Sequence, residues 1–187
     1  MTLTATTTRL RVYDESDASK TLLETTDGDE IARSLQAIGV RFERWAADAE
    51  LPPGASHDAV IAAYQRSVDR LKAECGYRAV DVIRLERGTP DTEPMRMKFL
   101  KEHQHSEDEV RFFVEGRGAF YLRAGGNVFQ TICVRGDLIS VPAGTKHWFD
   151  MGADPQFTAI RLFTNADGWV AQFTGDPIAE RFPRLDA

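Results

Sequence analysis

Residues 9–14 (RLRVYD) alternate apolar and polar side chains, a period of two that predicts a strand. The spacing then turns helical. In 28–40 (GDEIARSLQAIGV), Ile31, Leu35 and Ile38 share one face and Gly39 supplies a stop. Residues 40–45 (VRFERW) alternate again. The longest helical pattern runs from 56 to 75: Ser56 is placed to cap it, Val60, Ile61, Tyr64, Val68 and Leu71 form an apolar stripe, and Gly76 ends it. Two helices are therefore predicted ahead of the centre of the chain.

Beyond AVDVIRLE (79–86), the turn-rich GTPDTEP (88–94) marks a change of character. Short β-type runs follow at 97–104, 109–115, 118–123, 127–134, 138–141, 146–151 and 156–163, punctuated by GRG, AGGN, RGD, PAG and GADP. Their spacing of about 8–12 residues suits a β-sandwich or barrel. The last stretch, GWVAQFTGDPIAERFPRLDA, predicts a short helix and an irregular tail, and 1–8 reads as a frayed end. No internal repeat interrupts the chain. It reads as one domain, with 9–86 packing on a barrel core at 97–163 and 164–187 as a closing segment.

Length and composition add exclusions. A chain of 187 residues suits a single domain with its own core. Its 29 acidic and 23 basic residues give a net charge of -6, which repels a polyphosphate backbone, so nucleic acid is not an expected partner. No stretch approaches the ~18 apolar residues of a membrane span, and the opening lacks a secretory pattern. The expectation is a cytoplasmic monomer that meets no membrane. Cys75 and Cys133 lie in no CxxC pattern and read as reduced, buried thiols, with a disulfide between them as the minor alternative.

The chemistry concentrates in EHQHSEDE (102–109), which holds two of only four histidines. On a strand His103 and His105 point the same way, and Met97 and Phe99 share their parity. Glu109 opens the next run, with Arg111 and Phe113 on its face, and meets the imidazoles if the chain bends sharply at SEDE. His147 opens a later run, sharing parity with Phe149 and Met151; His57 is left unused. Imidazoles plus a carboxylate suit Fe, Ni, Co, Cu, Mn or Zn, and an octahedral ion keeps two positions open. A lone HxH pair is weak, because solvated strands carry such pairs by accident; Glu109 and His147 make coincidence a poorer explanation. A structural zinc prefers a closed, thiolate-rich site, and neither cysteine is near in sequence.

The string HQHSEDEVRFFVEG resembles the first cupin motif, through His103, His105, Glu109 and Gly116. GDLISVPAGTKH resembles the second, through Gly136, Pro142, Gly144 and His147; Met151 stands where many cupins have Asn, a position that is not a ligand. More narrowly, EHQHSEDEVRFFVEGRGAFYL, GDLISVPAGTKHWFDMG and FTAIRLFTNADGWVAQFTG resemble the acireductone dioxygenase family of the methionine salvage pathway. That resemblance runs from RLRVYD to RFPRLDA and is strongest from Phe99 to Gly175. It implies a mostly β, cupin-type double-stranded β-helix (jelly-roll) barrel with a few flanking helices. It also implies one divalent metal, Fe(II) or Ni(II), held by His103, His105, Glu109 and His147, with a small enediol substrate chelating the remaining positions and O2 as the second substrate. Fe(II) members split acireductone, 1,2-dihydroxy-3-keto-5-methylthiopentene, into formate and 2-keto-4-methylthiobutyrate. Ni(II) members give methylthiopropionate, formate and carbon monoxide.

The resemblance further assigns Arg111 to formation of the substrate dianion, Asp108 to relaying local conformational change and Glu102 to metal incorporation. Physics supports the first, because a Lewis-acidic metal and a fixed guanidinium both lower the cost of deprotonating an enediol. Plainer readings stand beside these: Arg111 pairs with a carboxylate ligand or caps the barrel, Glu102 and Asp108 are solvated charges, or Asp108 hydrogen-bonds to a ligand. For substrate contact, Phe99 and Phe149 have the parity to wall the metal chamber, and Trp169 is placed to close its mouth around a methylthio tail. Arg161 faces inward if its strand is in register with Phe157, Ala159 and Phe163. Competing functions are another cupin metalloenzyme (a thiol or flavonol dioxygenase, or a sugar isomerase) and a non-catalytic cupin that binds a ligand or stores metal.

Overall fold

The alternating run at Arg9–Asp14 forms strand β1, with Leu10 and Val12 buried. A hairpin returns it as β2 (Asp17–Thr25), mostly exposed on both faces apart from the half-buried Ala18 and Leu23 and the buried Thr25, so no alternation announces it in the sequence. These elements belong to a computed structural model that describes residues 7–186. Residues 1–6 of the expected frayed start therefore lie outside the described residues, but Thr8 is not frayed: it is buried and its hydroxyl donates to Asp137 at 2.5 Å.

Helix α1 (Gly28–Gln36) starts where Asp27 accepts from the Glu30 N–H and buries Ile31 and Leu35. Strand β3 (Arg41–Arg44) follows. The single helix expected over 56–75 is two, α2 (His57–Ala63) and α3 (Gln65–Cys75), so three helices precede the centre. The break falls at Tyr64, whose backbone leaves the helical region (φ -115°, ψ 24°) while its ring packs edge-on against Phe112. Ser56 and Gly76 cap the two ends as expected. Cys75 ends α3 on the solvent side, so only Cys133 is buried; both thiols are free.

After β4 (Ala79–Leu85), the strand expected over 97–104 is instead helix α4 (Glu93–Phe99) followed by the two-residue strand β5 (His103–Gln104). Pro94 in the first turn and the good helix formers Met95, Arg96, Met97 and Lys98 outweigh the period-two coincidence of Met97 and Phe99. The remaining strands are β6 (Glu109–Ala124), β7 (Asn127–Val134), β8 (Asp137–Val141), β9 (Lys146–Asp150), β10 (Phe157–Phe163) and β11 (Gln172–Phe173). The closing segment carries two 3₁₀ turns, Ala166–Trp169 and Pro177–Arg181, with β11 between them. Among the described residues no helix is long and apolar enough to cross a membrane.

The strands pair antiparallel in one wrapped sheet, giving the expected mostly β, cupin-type jelly roll with a few flanking helices. Strand β6 is its spine. Its first half pairs with β8 and β10, and its second half with β7 and β9. The change-over lies at Gly116–Gly118, so the two runs expected at 109–115 and 118–123 are one bent strand. Phe113, Phe120, Phe149 and Phe157 fill the barrel. Helices α2 and α3 cover one outer face through Val60, Val68 and Leu71, and Ile178 and Phe182 of the closing segment cover another, against Trp148.

Gly116 has φ +65°, and a Cβ there would lie 1.8 Å from the Gln156 carbonyl oxygen. Gly125, in the β6–β7 hairpin, has φ +59° with nothing within 4 Å of the same point. Gly125→Ala is expected to cost about 1–2 kcal/mol, for left-handed backbone alone. Gly116→Ala adds a backbone clash and is expected to cost roughly 2–5 kcal/mol in all. Urea unfolding midpoints at constant slope check the difference; equal costs contradict the proposed close approach.

Candidate metal centre

Strand β5 is short, but it is pinned on both sides: His103 faces His147 across β9 and Phe173 across β11. His105 follows on the same face, and the chain then turns so that Glu109 opens β6 beside Val141 of β8 and Phe163 of β10. The result is one compact cluster. Ring centroids lie 5.1 Å apart for His103 and His105, 4.5 Å for His103 and His147, and 5.3 Å for His105 and His147. One nitrogen from each ring lies within 4.8 Å of the others. Glu109 Oε2 is 3.2 Å from His105 Nε2 and 3.7 Å from His147 Nε2. All four residues are buried.

The rings are oriented from behind. Nδ1 of His103 meets the Lys101 carbonyl at 2.8 Å, Nδ1 of His147 meets that of Thr145 at 2.7 Å, and Nδ1 of His105 meets that of Val170 at 3.2 Å. A carbonyl only accepts, so each Nδ1 carries a proton and Nε2 is the ring nitrogen left for the interior. Burial, helped by the neighbouring imidazoles, pulls His103 down to about 4, so that ring is neutral near pH 7. Burial also works to raise the Glu109 carboxyl, but Arg111 and the imidazoles outweigh it and hold it well below its ordinary value. The anion's Oε1 accepts from Arg111 Nη2 at 2.7 Å, whereas Oε2 is buried without a hydrogen-bond partner. One nitrogen from each of three imidazoles and one carboxylate oxygen thus lie together in the interior. That set fits a divalent cation of the borderline class.

Arg111 is buried, and its guanidinium lies 4.7 Å from the centre of the Phe120 ring and 4.6 Å from that of Phe149. Burial lowers its pKa, but a guanidinium stays charged in the working range. Its Nε and Nη1 have no partner. The expected pairing with a carboxylate is present, and two donors remain over.

Above the cluster opens a cavity of about 610 Å³. Its floor comprises the three histidines, Arg111, Phe120 and Phe149, and α4 and the closing segment form much of its rim. Phe99 lines it and touches Phe149 edge-on at 6.1 Å, although from the end of a helix rather than a strand. Trp169 stands at the mouth, half-exposed, against Phe163. Arg161 also lines the cavity, opposite Arg111 in the β6–β10 pairing, with its guanidinium held by Asp81 at 2.8 and 2.5 Å.

Three expected residues do not line the cavity: Glu109, buried against His105 and His147, and Glu102 and Asp108. Glu102 is no solvated charge: it is buried, accepting from Arg123 Nη1 at 3.1 Å and from the Thr174 hydroxyl at 2.7 Å. Asp108 is exposed and bonds to no ligand; it accepts from the Ala143 N–H at 2.8 Å and so ties the bend before Glu109 to the loop before His147. Sequence reasoning missed Arg123, which joins Glu15, Glu102 and Asp176, and Phe173, whose ring lies 5.9 Å from that of His103. It also left His57 unused, yet His57 lines the cavity.

A family model described as "ARD/ARD' family" matches residues 9–171. Curated relatives named acireductone dioxygenase from Citrobacter koseri and Parvibaculum lavamentivorans are each 57% identical, over 176 and 180 residues. They cover 94% and 96% of this chain, and 98% of each relative is covered in turn. A solved structure described as acireductone dioxygenase from Bacillus anthracis with a cadmium ion in its active centre is 31% identical, with a TM-score of 0.78, and the match covers 90% of this chain and 99% of that one. With the barrel, the buried cluster and near end-to-end relatives in agreement, this chain belongs to the ARD/ARD' family.

Proposed function

We propose that the chain is an acireductone dioxygenase of methionine salvage, cleaving 1,2-dihydroxy-3-keto-5-methylthiopentene with O2 on one divalent ion, Fe(II) or Ni(II). The ligands are Nε2 of His103, His105 and His147 and Oε2 of Glu109. The observation that carries this reading is the buried ligand set itself: a three-histidine cluster with a Glu109 carboxylate oxygen 3.2 and 3.7 Å from two of its rings. Relatives at 57% identity favour it over the thiol dioxygenase, flavonol dioxygenase, sugar isomerase and non-catalytic readings. On this reading the chain works as one domain and as a monomer in the cytoplasm, a compartment that keeps Cys75 and Cys133 reduced.

When bound, the metal supplies Lewis acidity and open coordination positions for a chelating enediol. The chain supplies the rest. Arg111, fixed by Glu109 and sandwiched between Phe120 and Phe149, has Nε and Nη1 free to donate to an enediolate oxygen. Those donors act where water is excluded, so they favour the dianion more than the same groups would in bulk solvent. Phe99 and Phe149 keep the floor dry, and Trp169 covers the apolar tail. Asp108 couples the Glu109 bend to the loop before His147, so movement of one ligand-bearing segment is passed to the other. Glu102, held by Arg123 and Thr174 next to His103, sets β5 against β11 and so governs how the ion enters.

Protein loaded with Fe(II) is expected to consume O2 and bleach the ultraviolet absorbance of the enediol, releasing formate and the keto acid. Protein loaded with Ni(II) is expected to release formate, carbon monoxide and methylthiopropionate in place of the keto acid. No bleaching with either ion contradicts the proposal. His147→Ala is expected to drop the metal content measured by plasma mass spectrometry from about one ion per chain to a small fraction, because one ligand of four is gone. Arg111→Met is expected to keep the ion while kcat/KM falls about 10²–10³-fold, the usual loss for one electrostatic donor. A variant that loses its metal instead would restrict Arg111 to supporting Glu109.

A further inference from the structure

The cavity is larger than the proposed reaction needs, and its wall changes character from floor to rim. Its volume of about 610 Å³ lies within the range of sites that bury drug-sized ligands. The enediol and keto oxygens of the substrate engage only the floor, where every side chain is 8% exposed or less. The rim is different. Of the six large apolar side chains exposed among the described residues, four line this one cavity: Met95 at 39%, Trp169 at 37%, Val170 at 65% and Phe173 at 48%. An apolar rim around a polar floor marks a surface that something apolar covers.

The charges at the mouth narrow what the cover is. Lys98 and His57 line it together with Arg84 and Arg161, whose guanidiniums are paired with Glu115 and Asp81 outside the lining, and no carboxylate is among the lining side chains. A cationic tail is therefore disfavoured and an uncharged one is not. Met95 and Phe99 sit one turn apart on the cavity side of α4, and Met95 has the unbranched, adaptable side chain that packs against tails of differing length.

We propose that the substrate class is broader than the methylthio compound: acireductones with uncharged alkylthio tails of several further methylenes bind with the tail lodged between Met95 on α4 and Trp169 and Phe173 on the closing segment. This rests on the proposed function above. The test uses the full chain loaded with Ni(II), titrated anaerobically by calorimetry with enediols bearing methylthio, butylthio and aminobutylthio tails, and in parallel assayed for turnover in O2. Each added methylene is expected to tighten binding about two- to threefold, somewhat less than full burial of a methylene gives. The aminobutylthio compound is expected to bind at least tenfold more weakly than the butylthio one. Met95→Ser is expected to lower the ratio of butylthio to methylthio affinity by about threefold or more. Turnover of the methylthio compound combined with butylthio affinity that is flat or falling overturns this inference alone. Absence of methylthio turnover overturns the proposed function and this inference with it.

Discussion

Three backbone carbonyls, those of Lys101, Thr145 and Val170, determine what the centre can bind. By accepting from Nδ1 they hold His103, His147 and His105 with Nε2 as the remaining ring nitrogen, and for His105 and His147 that atom lies 3.2 and 3.7 Å from Glu109 Oε2. A buried carboxylate is expensive, by several kcal/mol in most interiors, and Arg111 bonds to only one of its two oxygens. The arrangement is held by the aromatic packing beneath it and makes physical sense with a cation at its middle.

The rest of the barrel keeps those carbonyls in place. Strand β6 delivers Glu109 and Arg111 at one end, and its bend at Gly116–Gly118 lets the same strand pair with β9, which carries His147. Two ionic hubs then frame the cavity. Asp150, fully buried at the end of β9, accepts from Arg96 of α4 at 2.9 and 3.2 Å and from the Leu185 N–H at 2.9 Å. It seats α4 over the cavity from its far side. Arg123 binds Glu102 and Asp176, which brings the closing segment across β5. The Val170 carbonyl that orients His105 lies in that same segment, so the cavity wall and the ligand geometry are one construction.

What could be read from the sequence follows how local each signal is. His103 and His105 share a face because strands have period two, and that rule needs nothing beyond three residues. Glu109 required only a bend at SEDE. His147 is distant in sequence, and the cupin-like spacing supplied what parity could not. Helix α4 was misread because Met97 and Phe99 mimic alternation within a segment too short for its helical period to stand out. Tyr64 splits a helix because its ring is drawn to Phe112, a tertiary demand invisible in an unbroken apolar stripe. The burial of Glu102 depends on Arg123 and Thr174, 21 and 72 residues away, and His57 reaches the cavity only because α2 packs beside β4. Neither leaves a local trace.

The most direct test of the donor arrangement is anomalous diffraction from crystals of the protein loaded with Ni(II), which locates the ion and its ligand atoms together. The ion is expected roughly 2.0–2.2 Å from Nε2 of His103, His105 and His147 and from Oε2 of Glu109, with the remaining positions filled by exchangeable solvent. An ion bound through Nδ1 of any of these rings, or seated away from Glu109, would contradict the account.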